Sequence, residues 1–169
     1  AKKLLAEAGY PNGFSTAIST MSGRYLSDVD IANAVSGMLN DVGIKVSINV
    51  MEPGIFLKNL GSPARDLGPI YMIGWYSFGD ADFAMTWYTG NNRRTAWSNA
   101  EFDRTYQAFT MTLDRPERVA QIAKMEKILS EEVGMIPTYF TIVANAHVAA
   151  LKGPIMRTTP DSGQGILHI

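Results

Sequence analysis

Six consecutive residues in the middle of the chain, Ile70-Tyr71-Met72-Ile73-Gly74-Trp75, carry no charge and no polar alternation. A strand with one face in water alternates apolar and polar residues. A run without alternation suits a strand covered on both faces, as in the middle of an α/β sheet. The chain then continues Tyr76-Ser77-Phe78-Gly79-Asp80-Ala81-Asp82. In open α/β sheets, ligands sit beyond the carboxyl ends of the strands. Three aromatic rings and two carboxylates in that position mark a candidate place to hold something small.

The segments around this run alternate in type. Ala1 to Ala8 reads as a short helix, with Gly9 as its C′ residue and Pro11 blocking continuation. Phe14 to Thr20 is a weak strand. Ser27 to Val42 is the clearest helix, with Ser27 as cap, Asp30 in capping-box position, and Ile31, Val35, Met38, Leu39 and Val42 at helical spacing. Ile44 to Val50 alternates as a strand with one covered face does. Pro53 opens a short helix through Leu60, ended by Gly61. The order α-β-α-β-α-β predicts parallel strands, for which right-handed crossovers are the default.

The second half reads as a helical hairpin. Ser98 with Glu101, and Asp114 with Glu117, give two capping-box signals, and Pro116 falls in the first turn of the second helix. Phe102, Tyr106, Phe109 and Leu113 line one face of the first helix. Val119, Ile122, Met125, Leu129 and Val133 form the stripe of the second. Ile136 to Ala150 is expected to return to the sheet as one or two strands, and Gly153 to Gly165 to be loop.

Composition removes several classes of function. The chain has 169 residues with 46% hydrophobic content, enough for one domain with a real core. Its 15 basic and 16 acidic residues leave a net charge of −1, which provides no basic field for nucleic acid. No apolar run approaches the roughly 20 residues of a membrane-spanning helix. The absence of cysteine removes disulfides, thiolate metal sites and cysteine nucleophiles. The chain starts at Ala1, inside a helical pattern, and reads as a piece of a longer protein.

Candidate chemistry is concentrated at strand ends. The only histidines, His147 and His168, lie in a strand pattern and beside the chain end, and no G-x-S-x-G motif accompanies them. Asp80 and Asp82 lack the ligand count for a calcium or zinc cage, and Asp80 reads equally as a turn cap. No Gly-rich phosphate loop follows a strand, and no cofactor is implied. If the strands are parallel, the loop Met21–Tyr25 emerges on the same edge as the loop Trp75–Asp82. Arg24 offers a fork of donors for a carboxylate or carbonyl. Trp75, Tyr76 and Phe78 offer flat apolar walls, and a mostly apolar cleft with a few polar groups suits a small molecule. The alternative is that Trp75 is core and Arg24 solvated. Asn91-Asn92-Arg93-Arg94 reads as a solvated polar loop.

The stretch Ala1-Lys2-Lys3-Leu4-Leu5-Ala6-Glu7-Ala8-Gly9-Tyr10-Pro11-Asn12-Gly13-Phe14 resembles a signature of bacterial extracellular solute-binding proteins, family 5, the peptide and nickel receptors of ABC importers. Further similarities follow in order. They include Gly23-Arg24-Tyr25-Leu26, Val42-Gly43-Ile44-Lys45-Val46, Met51-Glu52-Pro53-Gly54, Gly74-Trp75, Ser98-Asn99-Ala100-Glu101-Phe102-Asp103 and Ile136-Pro137-Thr138-Tyr139.

The resemblance implies a periplasmic-binding-protein-like α/β lobe, a mixed sheet with flanking helices, spanning residues 1–169 as the second large lobe of a two-lobed receptor. It implies an exported, in many bacteria lipid-tethered, protein that passes a peptide or related solute to permease subunits and catalyses nothing. Arg24, Tyr25, Trp75, Tyr76, Phe78 and Asp80 would then face the interlobe cleft. Peptide-binding members commonly carry an aspartate about three residues after the tryptophan, paired with the ligand's amino terminus. Phe78 stands there in this chain, and the family's Asp-Pro is Asp80-Ala81. A larger or modified peptide, or another apolar-faced solute, fits at least as well as a plain zwitterionic dipeptide. The rival readings are a small hydrolase using Asp80 or Asp82 as base, and a module that docks a protein partner on the Trp75 face.

Overall fold

The computed structural model describes residues 1–62, 66–74, 80–92, 95 and 97–138. They fall into two compact units, Ala1–Gly74 and Trp75–Ile169.

The first unit follows the predicted α-β-α-β-α-β order: α1 (Lys2–Glu7), β1 (Ser15–Met21), α2 (Asp28–Asp41), β2 (Lys45–Met51), α3 (Pro53–Gly61) and β3 (Ile70–Tyr71). The three strands are parallel, in the order β2-β1-β3. β2 pairs with β1 in continuous register from Ser15↔Lys45 to Met21↔Met51. Its alternation is real, with Val46 and Ile48 half-buried between exposed neighbours. Two turns cross ahead of this pair. Gly13 holds a positive φ of 74°, and a Cβ there would lie 1.8 Å from the Gly43 carbonyl oxygen, so only glycine fits.

Among the described strands, the centre of the sheet is not where the apolar run suggested. β1, the weak-looking strand, lies in the middle, and Ile18, Ser19, Thr20 and Met21 are buried. Among the described residues β3 pairs with β1 alone, through Ile70 and Tyr71 and a Met72 N–H bond to the Ser19 carbonyl, and Ile70 keeps 37% of its surface. Lack of polar alternation reports an apolar segment, whereas burial of a strand depends on neighbours on both sides. Hydroxyl side chains at the centre of β1 disguised that position. Thr20 bonds the Met21 carbonyl, and the buried Ser19 hydroxyl finds no partner among the described residues.

α2 also turns a different face inward than its apolar residues implied. Asp28, Ala32 and Ser36 are buried at a spacing of four, while Met38 is exposed. Ile31, Val35 and Leu39 flank that stripe and are only half-buried.

In the second unit a short α4 (Asp82–Met85) runs into a 3₁₀ turn, Thr86–Tyr88, and the predicted hairpin follows as α5 (Ala100–Met111) and α6 (Arg115–Glu131). The two helices are antiparallel. Asn99 and Glu101 at the start of α5 bond Glu132 and Lys124 toward the end of α6, whereas Arg118 at its beginning bonds the Phe109 carbonyl. Phe102, Phe109, Met125 and Leu129 form the core with Met85 and Tyr88.

Asp114 caps α6 as expected, accepting the Glu117 N–H at 2.9 Å. At α5 the cap is Asn99, not Ser98. Its side-chain oxygen accepts from the N–H groups of Glu101 and Phe102. The ends of both apolar stripes stay out of the core, with Leu113, Val119 and Val133 exposed. Among the described residues every strand pairing is parallel, so the expected mixed sheet is not seen there. The predicted return strands begin at Ile136, where Ile136–Thr138 form no regular structure, and otherwise lie outside the described residues.

Candidate functional site

Because β1, β2 and β3 are parallel, Met21, Met51 and Tyr71 all end toward one edge of the sheet. The Ser22 N–H extends the β1–β2 pairing by bonding the Met51 carbonyl at 3.1 Å. The loop that follows carries Arg24 and Tyr25. It is organised by the first residue of α2. Asp28 is 5% exposed, and its Oδ2 accepts the Arg24 N–H at 3.0 Å and the Tyr25 N–H at 3.2 Å, while Oδ1 accepts the Val29 N–H at 2.9 Å. Burial raises the Asp28 pKa, but the backbone donors of Tyr25, Arg24, Val29 and Gly23 outweigh it and hold the carboxyl below its ordinary range.

Ser27, expected as the cap of α2, takes no capping hydrogen bond and has a left-handed backbone with φ 56°. The side chain that does accept backbone N–H groups here is that of Asp28, from Arg24, Tyr25 and Val29. Tyr25 in turn reaches the third strand-end segment, where its hydroxyl donates to the Gly74 carbonyl at 3.3 Å. A Cβ on Gly74 would stand 2.9 Å from the Tyr25 ring, so the missing side chain admits the ring. The Arg24 side chain is exposed, with its guanidinium 5.9 Å from the Tyr25 ring centre, at the outer limit of cation–π reach.

Two features therefore rest on the Asp28 carboxylate and on the missing side chain at Gly74. Asp28 carried a signal, since an Asx side chain accepting N–H groups three and four residues back is common turn chemistry.

In the second unit, Asp80 precedes α4. Its Oδ1 accepts the Asp82 N–H at 3.0 Å and its Oδ2 accepts from Arg118 at 2.5 Å. The turn-cap reading of Asp80 is thus realised, together with an ion pair the sequence did not reveal. Asp82 accepts the Tyr106 hydroxyl at 2.8 Å. Burial, reinforced by the bond to Asp82 and its charge, raises the Tyr106 pKa against the opposing effect of Thr86. Asp80, Asp82, Phe109, Thr110 and Arg118 line a shallow cavity of about 320 Å³.

Trp75, Tyr76 and Phe78, and with them Arg93, Arg94, His147 and His168, lie outside the described residues. Among the described residues no group of three or more His, Cys, Asp or Glu side chains is arranged to hold a metal ion, and no helix is long and apolar enough to cross a membrane.

The described residues combine a parallel α/β unit that carries organised strand-end loops with a helical hairpin, the fold of the periplasmic binding proteins that resemble it. Residues 1–96 match the family model for bacterial extracellular solute-binding proteins, family 5 Middle, and the chain belongs to that family.

Relatives and solved structures agree. The glutathione-binding protein GsiB of Salmonella paratyphi A is 28% identical over 173 residues, an alignment covering 96% of this chain and 33% of that protein. The periplasmic binding protein DppA of Helicobacter pylori, solved with the peptide STSA, superposes with a TM-score of 0.65 at 28% identity, over 79% of this chain and 27% of that one. A dipeptide-binding protein from Pseudoalteromonas, solved with Met-Leu, gives 0.66 at 26% identity, over 79% of this chain and 28% of its own. The chain spans about a third of the length of the curated relatives it matches.

Proposed function

We propose that this chain is one lobe, residues 1–169, of the substrate-binding component of a bacterial ABC importer. Its ligand is a short peptide or related small solute, enclosed when this lobe and the remainder of the receptor close on it. The described members of the ligand-contact set are Arg24 and Tyr25 in the first unit and Asp80 in the second. Trp75, Tyr76 and Phe78 complete the set from sequence. The receptor works outside the cytoplasm, with a lipid tether where the organism uses one, delivers its ligand to permease subunits, and performs no chemistry.

The observation that carries this reading is the buried Asp28 carboxylate, which holds the Arg24–Tyr25 backbone on the sheet edge where α/β proteins bind ligands. Arg24 is thereby presented to solvent as a fork of donors for a ligand carboxylate or carbonyl. The relatives named above bind glutathione and short peptides, which supports the same ligand class here.

Native mass spectrometry of the full-length receptor, purified without denaturation, tests this, followed by calorimetric titration with glutathione and Met-Leu. A co-purifying peptide, or micromolar binding of either probe lost on Arg24→Ala, is the expected result. A receptor that retains no small molecule and binds no peptide sinks the proposal.

A further inference from the structure

Arg118 is fixed by more than its ion pair. One terminal nitrogen donates to the Phe109 carbonyl at 2.8 Å and the Thr112 carbonyl at 2.9 Å, closing the end of α5. The guanidinium also lies 3.9 Å from the centre of the Phe109 ring. These contacts hold the cation in place independently of Asp80, to which the other terminal nitrogen donates at 2.5 Å. The arginine side chain is 22% exposed and the aspartate 54%, so the fixed partner is the cation and the solvent-facing partner is the carboxylate.

We propose that Arg118 determines charge preference at the Asp80 position: paired with it, Asp80 is half of a neutral pair and no longer an acceptor for a ligand ammonium. That wall then favours an uncharged or acylated part of a ligand over a free amino group. The assignment rests on the peptide-receptor reading above and names a specificity-determining residue for it.

Like charge excludes the ammonium. An ammonium brought against Asp80 Oδ2 would meet a guanidinium already at ion-pair distance, in a fixed geometry that cannot swing away without breaking two carbonyl bonds. Asp80 Oδ1 is engaged as well, by the Asp82 N–H. The remaining carboxylate on the cavity is Asp82, which accepts the Tyr106 hydroxyl and is exposed, so its charge is screened by solvent. Phe109 and Thr110 complete the lining without charge. Selectivity arises here through the repulsive element as much as through any attraction.

The test offers the full-length receptor an equimolar mixture of Met-Leu, glutathione, and their N-acetylated forms. The free-amine share among retained peptides is read by native mass spectrometry. Wild type should retain the acetylated forms at least as well as the free ones. Arg118→Met, which keeps the packing on Phe109, should raise the ratio of free to acetylated forms about tenfold, and Arg118→Gln replaces it if the methionine variant does not fold by circular dichroism. The double variant Arg118→Met with Asp80→Asn should lose that gain, because the carboxylate that Arg118→Met sets free is then absent. An unchanged ratio in the Arg118 variant overturns the assignment, as does a gain that survives in the double variant. Retention of no peptide by any of the proteins overturns the receptor reading, and the assignment with it.

Discussion

The carboxylate of Asp28 illustrates how much of a loop one buried side chain can specify. It accepts N–H groups from Arg24, Tyr25 and Val29, so three backbone donors depend on its charge. Hydrogen bonds to a charged acceptor contribute about 1.5–3 kcal/mol each where they are intact, less where solvent competes. Asp28→Asn should therefore lower stability by about 2 kcal/mol at neutral pH, read as a shift in urea midpoint at unchanged m. The sign with pH follows from the depressed folded pKa. The stabilisation is fully present above the ordinary carboxylate value of 3.8 and is lost as pH falls through the lower folded value. The gap between wild type and variant should accordingly narrow below roughly pH 4. A second prediction concerns Gly74. Gly74→Ala places a methyl group 2.9 Å from the Tyr25 ring. It should release Tyr25 from the Gly74 carbonyl, visible as altered tyrosine ring resonances, at a stability cost under about 1 kcal/mol because the ring is half-exposed.

At the scale of elements, the cap of α5 separates two readings by a single residue. Asn99 accepts the Glu101 and Phe102 N–H groups and donates to Glu132 at 2.8 Å. Asn99→Ala should cost about 1 kcal/mol, whereas Ser98→Ala should stay within about 0.5 kcal/mol of wild type. Paired denaturation curves decide it, and equal losses would return the cap to Ser98. The same pair shows what was legible beforehand. Helix existence, the order α-β-α-β-α-β and the Asp114 cap were all readable, because periodicity, Pro53, Pro116 and the glycine stops are local signals. The central place of β1 was not, because Ser19 and Thr20 look exposed by composition and their burial depends on strands far away in sequence. Nor was the inward face of α2, where Asp28, Ala32 and Ser36 are small or polar and the conspicuous Met38 faces out. In the candidate site, Arg24 and Tyr25 stood out as residue types, while Asp28, Gly74 and Arg118 did not. Their importance lies in whom they touch.

At the scale of the whole molecule, the receptor proposed above would depend on enclosure more than on any one contact. A chain covering a third of its relatives supplies only part of the surface that would surround a ligand. The full-length protein should bind glutathione or Met-Leu at least a hundredfold more tightly than residues 1–169 alone, and a saturating probe at 100 times Kd should add about 2.7 kcal/mol to its stability. Comparable affinity in the two proteins, by calorimetry, would show that the rest of the receptor contributes little. The clasp around Asp28 has a further consequence, for the order of events in time. Its hydrogen bonds span one to four residues, so they can close as soon as the first turn of α2 forms. The Tyr25–Gly74 bond spans 49 residues and must wait until β3 has found β1. During biosynthesis the arginine-bearing loop thus acquires its shape early, and the tyrosine latch closes over it late.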